Sequence, residues 1–91
     1  MADVVARDLV IHGHVQGVFF RAFVQDAATR AGVSGRAVNR DDGSVVVRLE
    51  GDAAAVAVVE RAAREGPEGA RVERVDARDA TPSGLTGFSV G

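Results

Sequence analysis

The sequence predicts an α+β protein in which an antiparallel sheet carries two helices on one face. Three observations support this fold class. Segments rich in β-branched residues alternate with two segments of helical spacing, glycine or proline stands at most of the boundaries, and 91 residues are enough for one hydrophobic core. We therefore expect a single domain that spans residues 1–91.

The first strand and the first helix are predicted from two different periodicities. Residues 4–11 are rich in β-branched side chains, and their apolar positions partly alternate, which is typical of a strand. From Phe20 the apolar residues recur at helical intervals, and Gly32 stands where a helix commonly ends. The apolar positions of this helix are Phe20, Phe23, Val24, Ala27, Ala28 and Ala31.

The middle of the chain predicts a hairpin. Residues 33–40 and 44–51 are both β-rich, and Asp41-Asp42-Gly43 between them is a turn sequence. In the second arm, Val45, Val47 and Leu49 share one face.

The last third predicts a second helix and two strands. Asp52 is a suitable N-cap for a helix through Glu65, with Val56, Val59 and Ala63 on its apolar stripe. Gly66-Pro67 ends this helix. Residues 70–77 are expected to form a fourth strand, and residues 87–90 a short terminal strand.

The resulting order, β-α-β-β-α-β plus a short strand, is the ferredoxin-like split βαβ arrangement. Metal carriers, small-molecule sensors, RNA-binding modules and hydrolases all use this arrangement, so the fold alone does not indicate a function.

Composition excludes several classes of protein. There is no cysteine, so disulfides, thiolate metal sites and a cysteine nucleophile are excluded. No apolar run approaches the roughly 20 residues of a membrane span, and the N-terminus has no secretion-signal pattern. The net charge is −2 and the basic residues are dispersed, which argues against nucleic-acid binding. We expect a cytoplasmic protein that requires neither a membrane nor a nucleic acid.

The loop between the first strand and the first helix has the features of an anion-binding site. Gly13 and Gly17 bracket it and permit left-handed backbone geometry. Backbone N–H groups at a helix N-terminus can then converge on one oxyanion. Arg21 in the first turn is unfavourable beside the helix dipole, unless a bound anion reverses that effect. An exposed arginine on an ordinary turn is the alternative.

Three other polar residues have two interpretations each. Asn39 at the end of a strand could orient a water molecule beside the anion, or could satisfy backbone groups of the adjacent turn. His12 and His14 have an i, i+2 spacing that could bind a metal, but no third ligand lies nearby in sequence. We therefore predict no metal site and expect His12 to be an ordinary strand residue and His14 a loop residue without a catalytic role.

The segment from Gly13 to Arg21 also resembles the first signature of the acylphosphatase family, G-x-V-Q-G-V-x-F-R, at every specified position. Residues 35–45, with Gly51 as a distal glycine, are similar to the second signature. The similarity extends over nearly the whole chain. Arg36 and Val38 depart from the family pattern, which usually has an aromatic and a basic residue at these positions.

The resemblance implies a metal-independent hydrolysis of acyl phosphates to a carboxylate and inorganic phosphate. Arg21 and Asn39 would be the catalytic residues, because Arg21 would hold the phosphoryl oxygens and Asn39 would place the attacking water. The backbone amides of the loop would complete the phosphate-binding site. The substrate-binding residues implied in this way are Gln16, Gly17, Val18, Phe19, Phe20 and Arg21. No cofactor is implied, the partner is a small-molecule acyl phosphate, and a monomer is expected.

Two other interpretations remain open at this point. One is a non-catalytic, ferredoxin-like module that senses an anion or binds a protein. The other is a domain of a larger carbamoyl-phosphate-handling maturation factor, although the chain's own Met1 favours a stand-alone enzyme.

Overall fold

The structure, a computed structural model, describes residues 3–91; residues 1–2, the start of the segment without a secretion-signal pattern, lie outside the described residues. Five strands and two helices follow one another in the order β1, α1, β2, β3, α2, β4 and β5. Their bounds are β1 Val4–His14, α1 Phe20–Ala31, β2 Ser34–Asn39, β3 Val45–Asp52, α2 Ala53–Glu65, β4 Arg71–Ala80 and β5 Phe88–Val90. The predicted ferredoxin-like order is confirmed.

The core lies between the two helices and one face of the sheet, as the apolar patterns predict. The helix stripes supply Phe20, Val24 and Ala28 from α1. The corresponding buried residues of α2 are Val56, Val59 and Ala63, the three predicted from its spacing. Opposite them lie the alternating apolar residues of the central strands, which are fully buried: Leu9, Ile11, Val45, Val47 and Leu49.

The strand order in the sheet is β4-β1-β3-β2-β5. The pairs β4-β1, β1-β3 and β3-β2 are antiparallel, as predicted, but β5 runs parallel to β2. The reason lies in where β4 ends. Ala80 pairs with Ala6 at the same level of the sheet as Glu50, and the chain crosses at that level to enter β5 beside Gly35. A strand that enters from the end where β2 begins must run in the same direction as β2.

The first strand is longer than its sequence pattern indicates. It was expected to end at Ile11, but it continues to His14 through a β-bulge between His12 and Gly13. Gly13 has a φ of 131°, and a Cβ at this position would overlap the carbonyl oxygen of Arg71 on β4. Only glycine permits this close approach of two backbones.

The end of α1 has the capping geometry that its sequence predicts, whereas the start of α2 lacks the predicted side-chain cap. Gly32 adopts the left-handed conformation after α1, and its N–H donates to the carbonyl oxygens of Ala28 and Thr29, as expected of a glycine that ends a helix. Asp52 occupies the predicted N-cap position of α2 but makes no side-chain capping hydrogen bond. Within residues 3–91, no helix combines the length and apolar character needed to cross a membrane.

A buried carboxylate holds the segment that leads into β5. Glu50 lies on the sheet face opposite the helices, and only 3% of its surface is exposed. Its oxygens accept hydrogen bonds from the N–H groups of Ser83, Gly84 and Leu85 at 3.0–3.2 Å and from the Ser83 hydroxyl at 2.9 Å. Arg48 donates to the same carboxylate at 3.0 Å. Glu50 therefore fixes the path of the chain between β4 and β5.

We expect Glu50 to make the stability of the protein depend on pH in the acid range. Burial by itself raises the pKa of Glu50, but the hydrogen bonds from Ser83, Arg48 and Leu85 outweigh it and lower the pKa from 4.5 to about 2. Its stabilising contribution is thus complete above about pH 4.5 and is lost as the pH falls through 2. Glu50→Gln should lower the free energy of unfolding at pH 7 by about 1–3 kcal/mol and flatten its decline between pH 5 and 2.

Urea denaturation across this pH range measures the effect. Glu68→Gln is the matched control, because Glu68 is exposed and accepts no hydrogen bond from the described residues. Identical pH profiles for wild type and Glu50→Gln would contradict the assignment.

Candidate active site

A cleft of about 420 Å³ lies where the N-terminus of α1 meets the ends of β2 and β5. The loop after β1 and the first turn of α1 supply most of the lining, and Asn39 at the end of β2 and Val90 of β5 complete it. The lining residues are Val15, Gln16, Gly17, Phe19, Phe20, Arg21, Ala22, Asn39 and Val90. The structure thus brings together the loop, the arginine and the asparagine that the sequence singled out.

The loop has an irregular backbone that leaves its N–H groups unused. Gly17 has a φ of 74° and Phe19 a φ of 58°, so two left-handed residues alternate with ordinary ones. Within residues 3–91, the N–H groups from Gln16 to Ala22 donate to no protein acceptor. A run of free donors before and at a helix N-terminus is the arrangement that binds oxyanions.

Phe19 carries the strain of this backbone. Among residues 3–91 it is the one non-glycine residue with a positive φ. A bulky side chain in the left-handed region costs about 1–2 kcal/mol. The carbonyl oxygen of Phe19 accepts the N–H of Phe23 at 3.0 Å, which closes the first turn of α1 and holds Phe19 in this conformation.

Arg21 lies in the first turn of α1, as predicted, with its side chain partly exposed in the cleft. One terminal nitrogen, Nη1, donates to the main-chain oxygen of Gly91, next to β5. Among the described residues, the Nε and Nη2 groups of Arg21 have no protein acceptor. The guanidinium is therefore held on one side and keeps donors available on the other.

Asn39 is the last residue of β2, and it lies on the same face as Ala37, which is buried beneath the helices. Its side chain is exposed in the cleft and forms no hydrogen bond with residues 3–91. The alternative role in the turn belongs to another residue. Asp42 accepts the N–H of Ser44 at 2.9 Å and also the Ser44 hydroxyl, and these bonds lower the pKa of its carboxyl group. The amide of Asn39 is thus free to bind a ligand.

Gln16 joins the loop after β1 to the hairpin between β2 and β3. Its amide nitrogen donates to the carbonyl oxygens of Arg40 at 2.7 Å and Ser44 at 3.0 Å. Because these two residues flank the hairpin turn, Gln16 fixes the distance between the loop after β1 and the strand that carries Asn39.

The apolar residues of the loop differ in where their side chains lie. Phe20 is buried in the core, and the partly buried Val18 packs against the core without lining the cleft. The ring of Phe19, in contrast, is 86% exposed. Phe19 therefore belongs to the lining of the cleft and not to the core.

Sequence analysis did not place the end of the chain at this site. Val90 of β5 lines the cleft, and Gly91 contacts Arg21. The N–H of Gly91 donates to the carbonyl oxygen of Ala37, and Gln25 of α1 donates to the carbonyl oxygen of Phe88 at 2.9 Å. The strand-like residues 87–90 were a visible signal, but their partner strand could not be read from the sequence.

The two histidines considered as metal ligands, and the two positions that depart from the family signature, do not line the cleft. His12 contacts Asp76 at 3.1 Å on the opposite sheet face, and His14 lies beyond the bulge. Among residues 3–91, no group of three or more histidine, aspartate or glutamate side chains is arranged to hold a metal ion. Arg36 and Val38, which depart from the family signature, alternate with Ala37 on β2 and do not line the cleft.

Comparison with known proteins gives a consistent result. A model of the acylphosphatase family matches residues 7–90. An acylphosphatase from a Nocardioides species is 46% identical over 85 residues, which is 93% of this chain and 86% of the relative. The crystal structure of acylphosphatase from Bacillus subtilis superimposes with a TM-score of 0.92 at 31% identity, and the match covers 96% of this chain and 98% of that one.

A larger protein contains a similar unit. Full-length HypF, in its phosphate- and nucleotide-bound form, matches all of this chain with a TM-score of 0.92 at 25% identity. The match covers only 12% of HypF.

Proposed function

From the premise that the chain belongs to the acylphosphatase family and is an acyl phosphate hydrolase, we propose how its cleft carries out the reaction. The backbone N–H groups from Gln16 to Phe20 bind the phosphoryl oxygens together with Arg21. Asn39 orients the water molecule that attacks phosphorus. The observation that carries this proposal is the run of unused N–H donors beside a guanidinium and a free amide in one cleft.

The reaction needs positioning and charge stabilisation more than acid–base chemistry. Water attacks phosphorus, the bond between phosphorus and the acyl oxygen breaks, and the products are a carboxylate, inorganic phosphate and a proton. A carboxylate is a weak base and leaves without protonation. Phosphoryl transfer through a loose transition state is accelerated mainly by donors aimed at the equatorial oxygens and by an aligned nucleophile.

The three parts of the cleft correspond to these requirements. The loop and the N-terminus of α1 supply fixed dipoles that need no reorganisation during the reaction. Arg21 adds a planar, always-charged donor that suits phosphate oxygens. Asn39 has both a donor and an acceptor and does not titrate, so it can hold a water molecule in one orientation over a wide pH range.

The amide of Gln16 has a positioning role in this scheme. Its bonds to Arg40 and Ser44 hold the hairpin against the loop, so that the water site and the phosphate site keep one separation. The proposed scheme uses no metal and no cofactor. Action as a cytoplasmic monomer on a small-molecule substrate, without a nucleic-acid partner, remains a prediction.

We expect purified protein to release benzoate and phosphate from benzoyl phosphate in the presence of EDTA at the rate seen without EDTA. Sampling both products over time, after exhaustive dialysis against the chelator, measures this. A rate that falls on chelation and returns with a divalent ion would overturn the metal-free scheme. A folded protein that hydrolyses no acyl phosphate would favour the anion-binding module.

A further inference from the structure

The most exposed large apolar side chain of the described residues lies at the mouth of the cleft. The ring of Phe19 is 86% exposed, compared with 61% for Val4, 58% for Val58 and 44% for Val90. Its neighbour Phe20 is 2% exposed. Two adjacent phenylalanines thus have opposite surroundings, and the backbone conformation that separates them is strained.

A second exposed apolar side chain faces the same space. Val90 lies on β5, far from Phe19 in sequence, and both line the cleft. Exposed apolar side chains that occur singly are common and need no explanation, but two on one concave surface indicate a binding site for an apolar group.

The charges of the cleft restrict what that group can be. Of the residues that line the cleft, Arg21 alone is charged, and in the proposed function it binds the phosphoryl group. A second anionic group on the substrate would find no further cation in the lining.

We infer that Phe19, together with Val90, forms the binding surface for the acyl group and makes the enzyme selective for acyl phosphates with an apolar, aromatic acyl group. The inference rests on the proposed function and adds the substrate class to it. Phe19 is a specificity-determining residue in this scheme. Its backbone N–H belongs to the phosphate-binding loop, and its ring contacts the acyl group.

The strained backbone fits this role. Phe19 is anchored by the hydrogen bond from Phe23, so the ring projects from a fixed point and loses little freedom when a substrate binds. Strained residues that the surrounding structure holds in place are concentrated at binding sites. An aromatic ring offers a flat surface for offset or edge-to-face contact with a second ring.

The test compares two substrates. The kcat/KM for benzoyl phosphate is divided by that for acetyl phosphate, because the two share the phosphoryl group and differ in the acyl group. Phe19→Ala should lower this ratio about tenfold, and Phe19→Tyr, which keeps a ring, should leave the ratio within about twofold of wild type. Val58→Ser, which removes an exposed apolar side chain on α2 outside the cleft, should not change the ratio.

Phe19→Gly separates the ring from the backbone. Glycine adopts the left-handed conformation without strain, so this variant should fold at least as well as wild type and still show the lowered ratio. An equal loss for both substrates would show that the ring only maintains the loop, and would overturn the inference. An unchanged ratio in both Phe19→Ala and Phe19→Gly would also overturn it.

A binding measurement distinguishes failure of the inference from failure of the proposed function. By calorimetry, wild type should bind phenylphosphonate about tenfold more tightly than methylphosphonate, and Phe19→Gly should remove the difference. If the protein hydrolyses both acyl phosphates but binds phenylphosphonate no more tightly than methylphosphonate, the inference alone is refuted. Preferential binding without any hydrolysis would refute the proposed function and retain the aromatic site.

Discussion

Arg21→Lys should lower kcat/KM for benzoyl phosphate by about a hundredfold, and Arg21→Ala by about a thousandfold. Lysine keeps the charge but has no planar fork, so it cannot present two parallel donors to phosphoryl oxygens. The free Nε and Nη2 groups of Arg21 are the donors that both variants lose. Initial rates over a range of substrate concentrations, with inhibition by inorganic phosphate, measure turnover and phosphate binding separately.

Arg30→Lys is the matched control for this prediction. Arg30 lies in the last turn of α1, is exposed, and pairs with Asp26 at 3.0 Å on the helix surface. Its replacement should leave kcat/KM within twofold. Near-wild-type kinetics of Arg21→Lys would contradict the proposed binding of phosphoryl oxygens by Arg21. Because Arg21 also contacts Gly91, thermal unfolding of each variant must show that the fold is retained.

Asn39→Ala should lower kcat by about a hundredfold to a thousandfold and leave the inhibition constant of inorganic phosphate within about twofold of wild type. The reason is that the amide is assigned to the water and not to the phosphate. Its side chain is exposed and makes no hydrogen bond with residues 3–91, so its removal should change the free energy of unfolding by no more than about 0.5 kcal/mol.

Arg36→Ala on the same strand serves as the control. Arg36 is exposed on the opposite face of β2 and does not line the cleft, so we expect its kcat to stay within twofold of wild type. If Asn39→Ala loses phosphate binding and stability together, Asn39 is structural. If its kcat is unchanged, another group must orient the water.

The candidate site was largely predictable because it is built from short segments. The loop, Arg21 and the start of α1 are contiguous, so the glycine spacing and the change from a strand to a helical pattern define them locally. Asn39 was predicted because a strand ends there beside a turn sequence. Its position near the loop followed only from the resemblance to a family. The physical reason is that Val45 of β3 pairs with Asn39 on one side and with Ile11 of β1 on the other.

Other features depend on contacts between residues far apart in the chain, and the sequence pattern does not report them. Glu50 occupies an alternating position that predicts an exposed side chain, but the segment with Ser83 and Leu85 covers it. The bulge at Gly13 arises from pairing with β4 and lengthens β1 beyond its apolar run. Phe19 belongs to an apolar run, and only its backbone conformation shows that its ring is exposed.

The sequence by itself determined the order of the elements, the apolar faces of both helices and the composition of the loop after β1, because periodicity and glycine placement are local properties. The tertiary structure decided three things: the parallel pairing of β5 with β2, the presence of Val90 and Gly91 at the cleft, and the exposure of Phe19. The first two depend on how the chain crosses the sheet after β4, and the third depends on the left-handed backbone of Phe19 before α1. Such features depend on the packing of the whole molecule, so the local sequence pattern does not predict them.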